Sequence, residues 1–214
     1  VVLVTKDLPL RVKASAIGLE AEEYRHELVP GSGWTGMVNL DVPDEMISTL
    51  YEEGRVVDSI FDEIPVHAGL VLEGPRGTAL ARRMPDASAR LIPNDQEAFG
   101  IRGRSAEQRV ALDMLLDPQV GIVSMGGRAG TGKSALALCA GLEAVMERQL
   151  HKKVMVFRPL YAVGGQDLGY LPGDEGEKMA PWGQAVLDTL TSVTNNYVIE
   201  EVMSRGMLEI LPLR

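Results

Sequence analysis

Hydrophobic and polar positions along the first 98 residues of this chain predict a short α/β segment followed by a β-rich module. The apolar run 1–4 is typical of a strand, and the Ala/Leu/Glu-rich stretch from Arg11 to Glu27, interrupted at Gly18, is amphipathic. Residues 28–98, called the β-module below, carry short alternating runs between Gly/Pro turns. One helix interrupts them from Pro43 to Glu53, with acids in its first turn and Gly54 after its end.

From residue 99 onward, helical and strand-like patterns alternate, as they do in parallel α/β sheets. The predicted elements are a helix over 105–116, a strand over 120–124, a helix over 133–148, a strand over 154–157, a Gly-rich loop over 162–174, helices near 179–194 and 198–205, and a strand from Met207. We expect an α/β fold in three parts, 1–27, 28–98 and 99–214. Because the chain starts and stops within apolar runs and lacks an initiator Met, we also expect a fragment.

Composition and charge narrow the class of protein. Hydrophobic residues make up 45% of the 214, and no apolar run approaches the roughly 20 residues of a membrane span. The single cysteine, Cys139, excludes an intrachain disulfide, so we expect a cytoplasmic protein without membrane contact. The net charge is −9, but the β-module, with five basic and twelve acidic side chains, carries −7 of it. Residues 99–214 are nearly neutral, so the acidity does not argue against a nucleic-acid partner there.

One motif carries recognisable chemistry. Residues 127–134 match the phosphate-binding loop pattern Gly-x4-Gly-Lys-Ser, between a predicted strand and a predicted helix. Glycines let successive backbone N–H groups approach a phosphate at a helix N-terminus, whose dipole favours anions. The predicted nucleotide-binding residues are Gly127, Arg128, Ala129, Gly130, Thr131, Gly132, Lys133 and Ser134. Lys133 is the predicted catalytic cation for the β/γ-phosphates, and the Ser134 hydroxyl is a predicted ligand of Mg²⁺.

Two further features bear on this site. Gln108 lies on the helix before the loop, where its amide could read the adenine edge, with Phe99 or Arg102 stacking on the base; an exposed glutamine is more commonly just solvated. An acid after an apolar run should help hold Mg²⁺, but the near match at 60–63 is interrupted by polar residues before it and lies upstream of the loop. We therefore expect that acid, and hydrolysis, to need sequence beyond Arg214.

Several stretches occur in an order typical of one family. They are Phe99-Gly100-Ile101 with Gln108, the loop itself, Phe157-Arg158-Pro159, residues 167–174 (Asp-Leu-Gly-Tyr-Leu-Pro-Gly-Asp), Glu177-Lys178 and Pro181-Trp182. On these residues, 99–214 resemble the N-terminal half of the PhoH-like ATPases, a RecA-like branch of the P-loop proteins. The resemblance implies ATP and Mg²⁺ as cofactors, RNA as a partner, and a homo-oligomer, which in this class is commonly a hexameric ring.

The front of the chain carries a second resemblance. Residues 2–7, Leu10-Arg11 and 14–18 resemble the last strand and helix of a PIN nuclease domain, and PIN domains fused to PhoH-like ATPases form a known family. The resemblance implies that Asp7 belongs to a catalytic carboxylate cluster binding Mg²⁺ or Mn²⁺; by itself Asp7 would be read as a turn residue. It implies an ATP-dependent RNA helicase coupled to a ribonuclease. An ATP-binding regulatory or assembly module without RNA remodelling is the alternative.

Overall fold

The computed structural model describes residues 2–5, 7–23, 33–159 and 186–213. The chain divides into two compact units, Val1–Thr35 and Gly36–Arg214. The sequence stretches 162–174, Glu177-Lys178 and Pro181-Trp182 lie outside the described residues. In the part of the chain that the structure describes, no helix is long and apolar enough to cross a membrane.

The first unit is a β-α-β arrangement. Strand β1 (Val2–Val4) runs parallel to β2 (Glu20–Glu22), and helix α1 (Leu8–Ala16) connects them. Asp7 caps α1, because its carboxylate accepts a hydrogen bond from the Leu10 N–H at 2.9 Å. The predicted amphipathic stretch from Arg11 to Glu27 is wrong over Glu20–Glu22, which form β2: Gly18, with a φ of +82°, follows the helix, and the strand residues alternate in burial. Its last residues, 24–27, lie outside the described residues.

The β-module contains a five-stranded sheet in the order β3-β5-β6-β7-β4. Its strands are β3 (Met37–Asp41), β4 (Arg55–Val57), β5 (Gly69–Gly74), β6 (Gly77–Arg83) and β7 (Ser88–Leu91); β3 and β5 are parallel and the other pairs antiparallel. Helix α2 (Asp44–Glu53) begins after Pro43 and ends at Gly54, whose φ is +72°, as the sequence predicts. The core beneath α2 holds fully buried Leu50, Phe61, Leu70 and Leu72.

The remaining residues form the part that carries the phosphate-binding loop. Its elements are β8 (Glu97–Ala98), β9 (Ile101–Arg102), α3 (Ala106–Leu116), α4 (Lys133–Leu142), β10 (Val154–Pro159), α5 (Asn196–Ser204) and β11 (Leu208–Leu213), with a further helical stretch over 186–191. β10 and β11 pair in parallel, as expected for an α/β sheet. Leu138, Leu142, Leu190 and Leu208 bury a core beside them.

Two predicted elements differ in the structure. Residues 120–124 form no strand, because they pair with no other strand among the described residues, and Ile122 is 90% exposed. The predicted helix 133–148 is α-helical only to Leu142 and continues as one π-helical turn, Glu143–Glu147. π-turns insert one residue into the hydrogen-bond pattern, which sequence periodicity does not reveal.

Helix α3 is a wall shared by the β-module and the phosphate-loop part. One face of α3 packs through Val110 against Leu80 and Ile92 of the β-module. Another face packs through Leu112 and Leu116 against Leu136 and Ala140 of α4. The two apolar clusters make α3 part of two cores at once.

A buried ion network crosses the first of these contacts. Arg82, on β6, has no solvent exposure; its Nε lies 2.8 Å from Asp113 Oδ2 on α3, and its Nη2 contacts Asp117. Arg90 joins from β7, its Nη2 donating to both Asp113 carboxylate oxygens at 3.2 and 3.1 Å. Burial would raise the pKa of Asp117, but hydrogen bonds from Arg82 and the Gln119 N–H, with the charges of Arg82 and Arg90, hold that pKa below its ordinary value. Within this network the charged form of Asp117 is therefore favoured.

Gly69 offers a test of how closely α3 approaches the sheet. A Cβ at Gly69 would overlap with Met37 Sδ on the sheet and would lie 2.7 Å from Val110 Cγ2 on α3. We expect Gly69→Ala to lower the free energy of unfolding by about 1–3 kcal/mol through overpacking, measured by urea denaturation. Gly77→Ala is the matched control, because its Cβ would meet nothing within 4 Å. Equal stability of the two variants would contradict the packing described here.

Candidate nucleotide-binding site

The loop over 127–132 and the first turn of α4 have the backbone that phosphate binding requires. Gly130 and Gly132 have φ values of +80° and +83°, which L side chains rarely adopt. Gly132 is the N-cap of α4, and no side chain caps that end of the helix. The first N–H groups of α4 are thus left without a side-chain acceptor at a helix end whose dipole favours anions.

Lys133 folds back over this loop. Its Nζ donates to the carbonyl oxygens of Gly127 at 2.9 Å and Arg128 at 2.7 Å, and to Thr131 Oγ1 at 3.2 Å. Thr131 Oγ1 in turn donates to the Arg128 carbonyl at 2.9 Å. The ammonium group is therefore held in the loop by neutral acceptors, which a phosphate could replace with stronger charge-assisted bonds.

Gln108 ties α3 to the same loop. Its Nε2 donates to the Thr131 carbonyl at 3.1 Å, while its Oε1 accepts from the N–H groups of Arg104 at 2.7 Å and Ser105 at 3.3 Å. Ser105 Oγ accepts from the Gln108 N–H, which completes a capping box at the start of α3. Both lone pairs of Oε1 and one Nε2 proton therefore already form hydrogen bonds. To bind the adenine edge with both Oε1 and Nε2, Gln108 would have to release some of these bonds. Adenine recognition by Gln108 stays a prediction.

A cavity of about 600 Å³ opens beside Gln108 and the loop. Its lining comes from four places in the chain: Gly100, Ile101, Arg102 and Arg104; Gln108; Gly130, Gly132, Ala135 and Leu136; and Ser192 and Val193. This volume falls in the range of small-ligand and cofactor pockets. Of the two side chains proposed for base stacking, Arg102 lines the cavity, while Phe99 packs against the core formed by α4, β11 and 186–191.

The β8–β9 hairpin that supplies one wall was not anticipated from the sequence. Its two turn residues, Phe99 and Gly100, both have positive φ, +47° and +81°, as in a type I′ turn. Phenylalanine is unusual in that conformation, and here the Phe99 N–H donates to Glu143 Oε2 at 3.1 Å. This bond anchors the hairpin to the π-turn that follows α4. In the sequence, the Phe-Gly pair between two short strand-like stretches is the feature that indicates this turn.

Three other residues considered for chemical roles belong to other elements of the chain or to the packed core. Asp62 follows a short 3-10 turn, Ser59–Phe61, in the β-module. Asp7 caps α1 in the first unit, and the described residues contain no group of three or more His, Cys, Asp or Glu side chains that could hold a metal ion. Cys139 is buried on α4, and burial raises its pKa to about 11, so it is a packing residue.

Comparison with known proteins identifies the family. The family model described as PhoH-like protein matches residues 100–214. The chain belongs to the PhoH-like family. It is 63% identical over 213 residues to Protein PhoH2 of Thermobispora bispora and 61% identical over 213 residues to Protein PhoH2 of Mycolicibacterium smegmatis. Both alignments cover 100% of this chain and 49% of the relative.

A more distant relative extends the same pattern. Protein PhoH2 of Bacillus subtilis is 34% identical over 207 residues, which cover 91% of this chain and 46% of that protein. The chain thus spans about half the length of the curated relatives it matches. No solved structure gives a significant match. The family accounts for the phosphate-binding loop at its observed position, within the matched range.

The Gln108 contact can be tested without disturbing the helix cap. In Gln108→Glu the carboxylate still accepts from the Arg104 and Ser105 N–H groups but cannot donate to the Thr131 carbonyl. We expect amide hydrogen exchange over residues 127–132 to become several-fold faster while α3 keeps its protection. Gln149→Glu, an exposed position after the π-turn that follows α4, makes the same charge change as a control. Unchanged exchange in Gln108→Glu would show that the tether does not order the loop.

Proposed function

We propose that this chain binds ATP with Mg²⁺ at the loop over 127–134 and contributes that site to an ATP-driven RNA helicase. The observation that carries the proposal is the loop itself, with left-handed glycines, Lys133 drawn into its centre and an uncapped helix end at Gly132. Membership of the PhoH-like family, which is classed among P-loop ATPases, supports it.

The residues suggest a division of roles. The N–H groups of the loop and of the first turn of α4 would bind the β-phosphate, and Lys133 would leave the Gly127 and Arg128 carbonyls to bind the β/γ-phosphates. The Ser134 hydroxyl, in the first turn of α4, would be a ligand of Mg²⁺, which neutralises charge developing on the phosphates. The cavity lined by Arg102 and Gln108 would take the nucleoside.

Local charge supports an anionic ligand. Arg104 lines the cavity and Arg128 lies in the loop; both are exposed, and neither forms an ion pair with another residue that the structure describes. The whole chain nevertheless carries −9. Such local positive charge favours polyphosphate or RNA binding regardless of the net charge.

Replacing Lys133 tests the nucleotide site directly. We expect Lys133→Ala to weaken binding of a fluorescent ATP analogue with Mg²⁺ by at least tenfold, because the main cation of the loop is gone. Lys152→Ala, which removes an exposed lysine from the loop between α4 and β10, should bind as the unmodified chain does. In a protein of the relatives' length, Lys133→Ala should also abolish ATP-dependent RNA unwinding. Unwinding that persists would exclude the helicase assignment.

We also propose that Asp7 is one acid of a metal-dependent PIN ribonuclease site in such a longer protein. The supporting observation is the parallel β1-α1-β2 unit, in which Asp7 lies just beyond the carboxyl end of β1. Ligands of open parallel sheets bind at this edge. A nuclease site would use Mg²⁺ or Mn²⁺ to activate the water that attacks the phosphodiester.

The test separates this role from helix capping. Asparagine caps helices as well as aspartate does, so Asp7→Asn should retain α1 and ATPase turnover while metal-dependent RNA cleavage is lost. Asp58→Asn is the matched control, since Asp58 also caps a turn by accepting from the Ile60 N–H at 2.9 Å. Cleavage that survives in Asp7→Asn would remove Asp7 from the proposed site.

The rival function is an ATP-binding assembly module that remodels no RNA. The salt dependence of RNA affinity separates the two, because a protein that neutralises several phosphates loses affinity steeply as salt rises. A homo-oligomer, and a hexameric ring in particular, is a proposal common to both functions. Nucleotide-dependent assembly with no RNA affinity at low salt would favour the rival.

A further inference from the structure

We infer that Arg82, a residue of the β-module, is a positioning residue for the nucleotide site. It fixes the position of α3, and α3 carries Gln108 to the phosphate-binding loop. The β-module then takes part in nucleotide binding without touching the nucleotide. The inference rests on the proposed nucleotide binding. It has two measurements, nucleotide affinity and amide exchange in the loop, and only the first of them depends on that proposal.

The contact between Arg82 and α3 defines where the helix lies along its own axis relative to the sheet of the β-module. Asp113 is in α3 and Asp117, four positions later, is the C-cap residue of the same helix, and the single guanidinium of Arg82 reaches both. Arg90 binds the same pair, with Nη2 at 3.1 Å from Asp113 Oδ2 and 3.6 Å from Asp117 Oδ2. Sliding α3 by one helical turn, about 5.4 Å, would separate buried Arg82 from at least one of its carboxylates.

Apolar packing alone does not fix the position of α3 along its axis as strictly as the ion network does. Val110 meets Leu80 and Ile92 on the same side of α3, but apolar contacts are non-directional and tolerate repacking. Arg82 donates a directional hydrogen bond to Asp117 and lies within ion-pair distance of Asp113, and its charge is costly to bury without such partners. The ion network therefore selects one arrangement among those that the apolar surfaces allow.

The other end of α3 holds the loop. Gln108 lies nine residues before Asp117, about 14 Å along a helix, and donates to the Thr131 carbonyl. Gly132 approaches so closely that a Cβ there would lie 3.3 Å from Gln108 Nε2. Movement of α3 would therefore move or break the contact with the peptide that precedes Gly132 and Lys133.

The neighbouring residue supplies a matched control. Arg83 is also on β6 and is 7% exposed, but its guanidinium donates to the Phe61 carbonyl at 3.3 Å and to the Met84 carbonyl, both within the β-module. Arg82→Met and Arg83→Met remove the same group from the same strand. Of these two neighbouring arginines, only Arg82 contacts α3 in the part of the chain that the structure describes.

We expect Arg82→Met to raise the dissociation constant for a fluorescent ATP analogue about tenfold and to accelerate amide exchange over 127–132. Arg83→Met should change neither quantity, even where both variants lower the unfolding midpoint. Arg82→Lys, which keeps the charge but not the planar guanidinium group that reaches both carboxylates, should fall between Arg82→Met and the unmodified chain. If Arg82→Met does not fold, Arg82→Lys and Arg83→Met carry the comparison.

Two results would overturn the inference. Equal effects of the Arg82 and Arg83 variants would mean general destabilisation of the β-module, and no effect of Arg82 substitutions on loop exchange would mean that α3 does not transmit its position. Failure of the unmodified chain to bind the analogue would instead refute the proposed function. The exchange readout would still decide the role of Arg82 in that case.

Discussion

A buried arginine is the constraint on which the larger unit depends. Arg82 has no exposure to solvent, so its charge requires carboxylates within reach, and these come from α3 rather than from its own sheet. The sheet of the β-module and the helix before the phosphate-binding loop are thereby joined by directional bonds as well as by apolar contacts. Since α3 also packs against α4, the position of the β-module and the position of the loop are not independent.

The nucleotide site is formed by separate elements of the chain, and side-chain hydrogen bonds join the ends of these elements to one another. Gln108 fixes α3 to the loop, and Glu143 fixes the β8–β9 hairpin to the end of α4 through the Phe99 N–H. Arg148, just past the π-turn, donates to the Leu116 carbonyl at 3.0 Å and so joins the C-terminal end of α3 to the same region. The left-handed backbone of Phe99 is tolerated because its N–H and its ring are both held in place.

Features encoded within a few adjacent residues could be predicted from the sequence. The phosphate-binding loop, the start of α3 near Ser105, and α2 between Pro43 and Gly54 depend on glycine conformation, capping and proline geometry. Features that depend on distant partners could not. The strand expected at 120–124 lacks a pairing partner among the described residues, and the bonds of Arg82 join residues 31 and 35 positions apart.

Thr131 takes part in two sets of contacts, one with Lys133 inside the loop and one with Gln108 on α3. Its Oγ1 accepts from Lys133, the side chain aimed at the phosphates, while its backbone carbonyl accepts from Gln108. Because a phosphate would compete for the ammonium group of Lys133 and not for the Gln108 amide proton, the loop can exchange ligands at its centre while staying tied to α3. Through α3, the ion network around Arg82 therefore affects the bond between Gln108 and the Thr131 carbonyl, which stays in place when a phosphate binds. A helix fixed at its far end by these ion pairs is suited to that role, since its backbone hydrogen bonds lie within the segment and set the distance between its two ends.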